Sequence, residues 1–126
     1  MKILGNLIWL LFGGFAIAIE YFTAGLALML TIIGIPFGLQ SMKLGILALW
    51  PFGSEVRRTE MAGGCISTLM NLIWVIFFGI VIALTHLVFG LLLCITIVGF
   101  PWGMQHFKLM HIAITPFGRT IEPLMT

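Results

Sequence analysis

Charged residues are scarce in this 126-residue chain: Lys, Arg, Asp and Glu together make up 8% of it, and aspartate is absent. Soluble domains carry about 25% charged residues. Because 61% of the residues are hydrophobic and small domains bury only about 60–70% of their surface, a soluble form would expose too much apolar surface to water. The composition therefore excludes a disordered chain and a soluble helical bundle, and it indicates a lipid bilayer as the solvent.

Cysteine and net positive charge are also in short supply. The two cysteines, Cys65 and Cys94, do not occupy equivalent places in the internal repeat described below, so we predict no disulfide framework. The net charge is +2, with no basic stripe and no interleaving of basic and aromatic residues. Nucleic acid is therefore not expected as a partner.

The residue patterns that support metal or catalytic chemistry are missing as well. The sequence has neither Cys-x-x-Cys nor His-x-x-x-His, and we expect His86 to lie near an outer turn, far from His106 and His111. Three of the four acids fall in hydrophilic segments, and no Ser or Cys has a plausible base with an orienting acid. We predict no metal, no other cofactor and no enzyme activity.

What the chain does contain is an internal repeat at a constant offset of 65 positions. Repetition this regular indicates one structural unit used twice. The clearest matches are Asn6–Trp9 with Asn71–Trp74, Thr31–Gly38 with Thr96–Gly103, and Pro51–Gly53 with Pro116–Gly118. We assign residues 1–56 to a first membrane repeat, 57–65 to a hydrophilic connector, 66–121 to a second membrane repeat and 122–126 to a tail.

Each repeat opens with an apolar stretch of about 34 residues, which is long for one span of about 20 and short for two. The stretches are Ile3–Phe37 and roughly Leu69–Trp102. Two topologies compete. In one, each stretch is a helical hairpin that turns near Glu20-Tyr21 or Thr85-His86. In the other, each stretch is one long tilted helix, and the two repeats enter the membrane in opposite orientations.

The basic residues favour the hairpins, because Lys and Arg prefer the cytoplasmic side. The hairpin topology places all six on one side, whereas single spans divide them between both sides. We therefore predict four short spans, both termini in the cytoplasm, and two like-oriented halves related by an axis along the membrane normal. The six residues are Lys2, Lys43, Arg57, Arg58, Lys108 and Arg119.

A Gly-x-Pro-x-Gly motif follows each apolar stretch, and we expect Pro36 and Pro101 to end the ascending helix there. The next segments, Leu39–Trp50 and Met104–Thr115, read as short amphipathic helices on the membrane surface. The predicted fold is thus an all-α integral membrane protein of two tandem repeats. Each repeat is a transmembrane helical hairpin plus a short amphipathic interfacial helix.

The doubled pattern Asn-Leu-Ile-Trp, then Gly-x-Pro-x-Gly-x-Gln-x-x-Lys, then Pro-Phe-Gly resembles the YccF family of bacterial inner-membrane proteins. The resemblance covers nearly the whole chain apart from the connector and tail. It implies a tandem domain of paired spans in the bacterial inner membrane, with no established biochemical activity. It brings no catalytic residues to this chain.

Three strongly polar side chains recur in both copies of the unit. They are Asn6 with Asn71, Gln40 with Gln105, and Lys43 with Lys108. On a structural interpretation they bond between helices, satisfy freed carbonyls and anchor to lipid phosphate. On a functional interpretation, Gln and Lys just after a helix break form two equivalent sites for an anion.

Glu20 is the remaining candidate, because it interrupts an apolar run and has no acidic counterpart in the second repeat. At an outer turn it is a solvated charge, or an acid at a pore mouth that attracts cations. Four short helices are few for a pathway, so we expect a homo-oligomer. The predicted function is a small channel or transporter for an ion, with an anion as one candidate, or for a small polar solute. The alternative is a non-transporting scaffold or modulator that binds lipid or an unidentified partner protein.

Overall fold

The computed structural model describes residues 2–59 and 64–123, with only the backbone described for Lys2 and Pro123. The two repeats have the same order of elements, and each opens with two helices joined by one π-helical turn, at Leu10–Gly14 or Val75–Gly79. The first repeat contains α1 (Lys2–Trp9), α2 (Phe15–Met29), α3 (Gly34–Leu49) and β1 (Ser54–Arg58). The second contains α4 (Cys65–Trp74), α5 (Ile80–Ile95), α6 (Phe100–Ile114) and β2 (Arg119–Pro123).

The long apolar stretches do not turn where the sequence analysis placed the turns. Ile3–Met29 and Cys65–Ile95 are helical segments, the first kinked at Phe12-Gly13, and both are long and apolar enough to cross a membrane. Glu20-Tyr21 lies within α2 and Thr85-His86 within α5, so the predicted turns are wrong. A polar pair does not stop a helix by itself, because opening the backbone would leave N–H and C=O groups without partners at a cost of several kcal/mol in lipid.

The chain reverses instead at residues 30–33 and, shifted by one position in the second repeat, at residues 96–99, ahead of Pro36 and Pro101. At the first reversal, the Thr31 hydroxyl oxygen accepts a hydrogen bond from the Gly34 N–H at 3.0 Å, as an N-cap does. Pro36 then lies in the first turn of α3, where its missing N–H costs no hydrogen bond. The prediction that Pro36 and Pro101 end the ascending helix is therefore wrong, since both lie at the beginning of the returning one.

The returning helices α3 and α6 are the second arms of the hairpins, which corrects their assignment as interfacial helices. Ser41 of α3 donates a hydrogen bond to the Tyr21 carbonyl at 2.7 Å, and the Trp9 indole donates to the Ala48 carbonyl at 2.6 Å. These pairings run in opposite directions along the chain, so α3 lies antiparallel to the long helix. Small residues allow this contact: a Cβ atom on Gly25 would lie 2.9 Å from the carbonyl oxygen of α3 opposite it.

The two repeats are inverted relative to each other. Trp102, close to the reversal of the second repeat, donates its indole N–H to the Gly5 carbonyl at the other end of the first repeat, at 2.9 Å. Likewise the ring of Phe37 lies 5.0 Å from that of Phe117. The reversal of each repeat therefore meets the opposite end of its partner. The like-oriented halves of the sequence analysis are wrong, because a constant offset identifies two equal folds and says nothing about their relative direction.

An antiparallel ribbon of β1 and β2 joins the repeats, so the fold is mostly helical and not all-α. Val56 pairs with Ile121, its own equivalent at an offset of 65, which places the pseudo-two-fold axis at this pair. The ribbon takes up parts of the predicted connector and tail. Of those two segments, residues 60–63 and 124–126 lie outside the described residues.

The two ends of the described chain lie at the same end of the molecule. Asn6 in α1 bonds to the backbone of Phe52, and two residues later Ser54 pairs with Pro123 of β2. This arrangement agrees with both termini facing one side of a membrane. Their cytoplasmic location stays a prediction.

Candidate functional site

Asn6 and Asn71 hold the Pro-Phe-Gly turn of their own repeat. The Asn6 amide donates to the Phe52 carbonyl at 3.0 Å and accepts from the Phe52 N–H at 2.9 Å. In the second repeat, Asn71 makes the same pair of bonds to Phe117, at 3.2 and 2.9 Å. Because each amide uses both its donor and its acceptor on the backbone, the structure supports a structural role for the repeated asparagines.

The other repeated polar residues do not gather into one site either. Gln40 donates hydrogen bonds to the carbonyls of Pro116, at 3.1 Å, and Arg119, at 2.9 Å, and so ties the first repeat to the turn of the second. Gln105 is half-buried on α6. Lys43 and Lys108 are exposed on α3 and α6. The anion site predicted from these residues is therefore not assembled within one chain.

Glu20 meets Thr85, its own equivalent in the repeat, at the contact between α2 and α5. The Thr85 hydroxyl donates to Oε2 of Glu20 at 2.7 Å. Oε1 of Glu20 is buried and has no hydrogen-bond partner among the described residues. Glu20 therefore lies at the repeat interface in mid-helix, and its predicted place at an outer turn is wrong.

A groove of about 230 Å³ runs beside this carboxyl group. Apart from Glu20 and Thr23, its walls are apolar side chains of α2, α5 and the second π-helical turn, so the groove offers the carboxylate no neutralising charge. The remaining residues that line it are Ile19, Ala24, Phe77, Phe78, Val81 and Ile82.

A buried histidine pair lies at the same interface. The Nδ1 atoms of His86 and His106 are 3.0 Å apart, and Nε2 of His106 lies 2.9 Å from the Phe12 carbonyl oxygen. A carbonyl only accepts, so Nε2 of His106 carries a proton and its Nδ1 accepts from His86 when both rings are neutral. The Trp9 indole stacks on the His106 ring at 4.1 Å. The pair is thus a fixed, directional hydrogen-bonded chain within apolar helices.

The π-helical turn of the first repeat makes room for this pair. Phe12 and Gly13 leave helical geometry, with φ of 124° at Gly13, which frees the Phe12 carbonyl for His106. A Cβ atom at Gly13 would lie 2.6 Å from Cε1 of His106. Only glycine satisfies both the backbone conformation and the space. At the equivalent positions, Phe78 replaces Gly13 and Ser41 replaces His106. The larger side chain of the pair is therefore on the returning helix in one case and on the long helix in the other.

The histidine pair was not predicted from the sequence, and the prediction that His86 lies far from His106 is wrong. The available signal was the alignment of the repeats, where His86 stands opposite Tyr21 and His106 opposite Ser41. Ionisable histidine at two positions where the other copy has Tyr and Ser indicates a specialised interior. Among the described residues no group of three His, Cys, Asp or Glu side chains could hold a metal ion.

Comparison with known proteins places the chain among membrane components. The family model for YccF, described as "Inner membrane component domain", matches residues 4–54 and again 69–119. The chain is 31% identical to the inner membrane protein YccF of Escherichia coli K12 and equally to that of Shigella flexneri. Each alignment covers 100% of this chain and 90% of the relative. No solved structure matches. The resemblance drawn from the repeated motifs is confirmed.

Proposed function

The chain belongs to the YccF family of inner membrane components, and from this premise we propose a small channel or transporter for a monovalent cation or proton, with Glu20 as its binding group. One observation carries the proposal: a carboxyl group at the contact of two inverted repeats has one oxygen buried without a partner among the described residues. The names of the two relatives state no activity, so this geometry supports the proposal by itself.

Inverted repeats suit transport. In secondary transporters, substrate and ion sites lie near the bilayer midplane at the interface of such repeats, where rocking of one half exposes the site to alternate sides. Glu20 and Thr85 suit such a place, since they are equivalent residues that touch at the contact of the two repeats, about two thirds of the way along each long helical segment. If the pseudo-two-fold axis lies in the membrane plane, each of the two long helices can cross the whole bilayer, in opposite directions.

A cation accounts for Glu20 better than an anion does. An ionised carboxylate within a membrane helix is costly and is usually functional or paired. Thr85 supplies one hydrogen bond, and the second oxygen lies buried beside an apolar groove. Uptake of a proton would remove the charge of this carboxylate, and a bound monovalent cation would neutralise it. The lysines of the anion hypothesis are exposed on α3 and α6.

The pathway is expected between copies of the chain. On the axis within one chain, the cavity beside His86 and Tyr21 holds only about 10 Å³, room for about one water molecule at most. The ribbon meanwhile carries Arg57 with Glu55 and Glu122, charges that hydrocarbon does not tolerate. A homo-oligomer that turns the Arg57 face of its ribbons to an aqueous lumen would keep these charges wet and leave the opposite face, with Arg58 and Arg119, outside the lumen.

A second candidate is a scaffold or modulator that conducts nothing. The engaged amides favour it, because Asn6, Asn71 and Gln40 all serve the fold. This candidate predicts no intrinsic flux for any cation, and the following experiment separates the two.

Glu20→Gln is expected to lower cation flux at least about tenfold in liposomes that contain the purified protein, since the amide keeps the volume and the Thr85 contact but loses the charge. Flux is measured with a pH-sensitive dye for protons and with a potential-sensitive dye under potassium and sodium gradients. Lys43→Gln is the matched control, because it removes one exposed helical charge without touching the interface, and we expect unchanged flux. Equal flux in wild type and Glu20→Gln, or none in either, would contradict the proposal.

The membrane orientation has its own test. In a background with Cys65 and Cys94 replaced by serine, single cysteines at Thr31 and Thr96 are placed at the two helix reversals. Because the repeats are inverted, we expect an impermeant thiol reagent added to intact spheroplasts to label one of them and not the other. Permeabilisation should make both react. Labelling of both from the same side would show that the halves do not cross the membrane in opposite directions.

A further inference from the structure

A groove of about 360 Å³ lies where the ribbon meets the beginning of α4 and the end of α6, outside the histidine and glutamate cluster. Its lining combines the polar residues Arg58, Arg119 and Thr68, which we call the polar end, with the apolar residues Leu72, Val75 and Ile114. We call it the arginine groove. Residues 68, 72 and 75 are spaced three and four apart and so follow one helical face over about 10 Å, from α4 to the first residue of the second π-helical turn.

The polar end contains two like charges that face each other. Arg58 and Arg119 are direct cross-strand partners in the ribbon, an arrangement that destabilises a sheet unless an anion joins them. The neighbouring Arg57 does have carboxylate partners: its Nη2 lies 2.7 Å from Oε1 of Glu55, and its Nε lies 3.1 Å from Oε2 of Glu122. Among the described residues, neither Arg58 nor Arg119 has such an ion pair, so the positive charge of the groove is uncompensated there.

Arg119 is held in position for a ligand. Its Nε donates to the Thr115 carbonyl at 2.7 Å and its Nη2 to the Thr115 hydroxyl at 2.9 Å, which leaves Nη1 free of the protein's own acceptors among the described residues. Desolvation lowers the pKa of Arg119, and the positive charge of Arg58 lowers it further. An anion at this end would offset both effects.

The first repeat lacks this combination. Ser54 stands at the position of Arg119, Pro123 at that of Arg58, and Trp50 at that of Thr115. The cross-strand pair of Ser54 and Pro123 is therefore the uncharged counterpart of the arginine pair. The asymmetry predicts one anion site for each chain and supplies a substitution that the fold already accommodates once.

We propose that the arginine groove binds an anionic phospholipid, with its phosphate between Arg58 and Arg119 and an acyl chain along Leu72 and Val75. Paired guanidinium groups match phosphate oxygens, while the apolar walls match hydrocarbon. A free phosphate ion could also pair with the guanidinium groups, but it would not contact the apolar walls. The site is separate from Glu20, so the proposal holds whether or not the protein conducts ions.

Native mass spectrometry of delipidated protein in detergent tests the site, with phosphatidylglycerol, phosphatidylcholine or inorganic phosphate added. We expect one tightly held phosphatidylglycerol for each chain, weaker phosphatidylcholine and no competition from millimolar phosphate. The double substitution R58Q/R119Q should weaken phosphatidylglycerol binding at least about tenfold, since charged hydrogen bonds are lost. Arg57→Gln is the control: it removes one positive charge from the same ribbon outside the groove and should bind as wild type does.

Thr115→Trp gives a second variant in case the double substitution alters folding, because it fills the groove with the residue that the first repeat carries there. It should lose the lipid while circular dichroism and elution volume stay unchanged. Equal binding of both lipids, or equal loss in Arg57→Gln, would overturn the proposal. Binding of inorganic phosphate as tight as that of phosphatidylglycerol would also overturn it, in favour of a soluble anion.

Discussion

Gly13→Phe is expected to destabilise the protein by about 3 kcal/mol or more, because it combines backbone strain with a clash. Gly13 has φ of 124°, which L side chains rarely adopt, and its Cβ would lie 2.6 Å from Cε1 of His106. The change would also disturb the Phe12 carbonyl that His106 contacts. The free energy of unfolding, measured by titrating sodium dodecyl sulfate into mixed micelles, checks the effect. Ala16→Phe adds a ring at an exposed helical position nearby and should cost little.

The second repeat predicts how this damage can be repaired. There Phe78 replaces glycine at the equivalent position, and the partner position on the returning helix of the other repeat is Ser41. G13F/H106S copies this combination, so a phenylalanine ring meets a small side chain and the helix can regain regular geometry. We expect the double variant to be more stable than the sum of the single effects by about 1–3 kcal/mol. Strict additivity would show that His106 is not what requires glycine at position 13.

Several features of this fold could be predicted from local sequence. The offset of 65 identified two equal units, and their apolar content identified the membrane. The repeated Asn6 and Asn71 stood out because an amide in an apolar helix needs a partner. The hydrogen-bond partner of each asparagine is the Pro-Phe-Gly segment of the same repeat, which the repeated motif contains. This segment leaves backbone groups unpaired that a regular helix would pair internally.

The direction of the repeats could not be predicted in the same way. The positive-inside argument counted Arg57, Arg58 and Arg119 as loop charges, whereas they lie in a ribbon that joins opposite ends of the two repeats. Strand pairing between segments more than sixty residues apart leaves no periodic signal in either segment. The orientation depends on long-range contacts such as Trp102 with Gly5, which one sequence does not reveal.

The histidine pair shows a related limit. His86 and His106 are twenty residues apart on separate helices, and their contact requires the reversal at Thr96–Gly99 to be placed correctly. Because a turn was predicted at Thr85-His86, His86 was expected in a solvated loop. The two equivalent wrong turns therefore moved Glu20 and His86 from the interior to the surface. The errors share one cause, the assumption that a polar pair interrupts a long apolar helix.

Asn6→Leu is expected to destabilise the protein by about 3 kcal/mol, the second large effect. The amide is fully buried and satisfies both the N–H and the carbonyl of Phe52. Leucine fits the volume but leaves two backbone groups without partners, each at about 1–3 kcal/mol when buried. Asn71→Leu should cost less, because Asn71 is only half-buried and its bond to the Phe117 carbonyl is longer, at 3.2 Å. Titration with sodium dodecyl sulfate again reports the free energy of unfolding.

Gln105→Leu is the control for this pair, since it removes an amide that makes no hydrogen bond with the residues the structure describes. We expect a change within about 0.5 kcal/mol. The expected loss of stability decreases from Asn6 to Asn71 to Gln105, in the order of burial and hydrogen bonding. This order distinguishes a structural role at the Pro-Phe-Gly turn from a ligand-binding role. If the asparagines bound a solute instead, both leucine variants would keep their unfolding free energy and lose flux alone. A large loss of stability with the predicted order assigns the repeated asparagines to the fold and leaves Glu20 as the polar group at the repeat interface with unused bonding capacity.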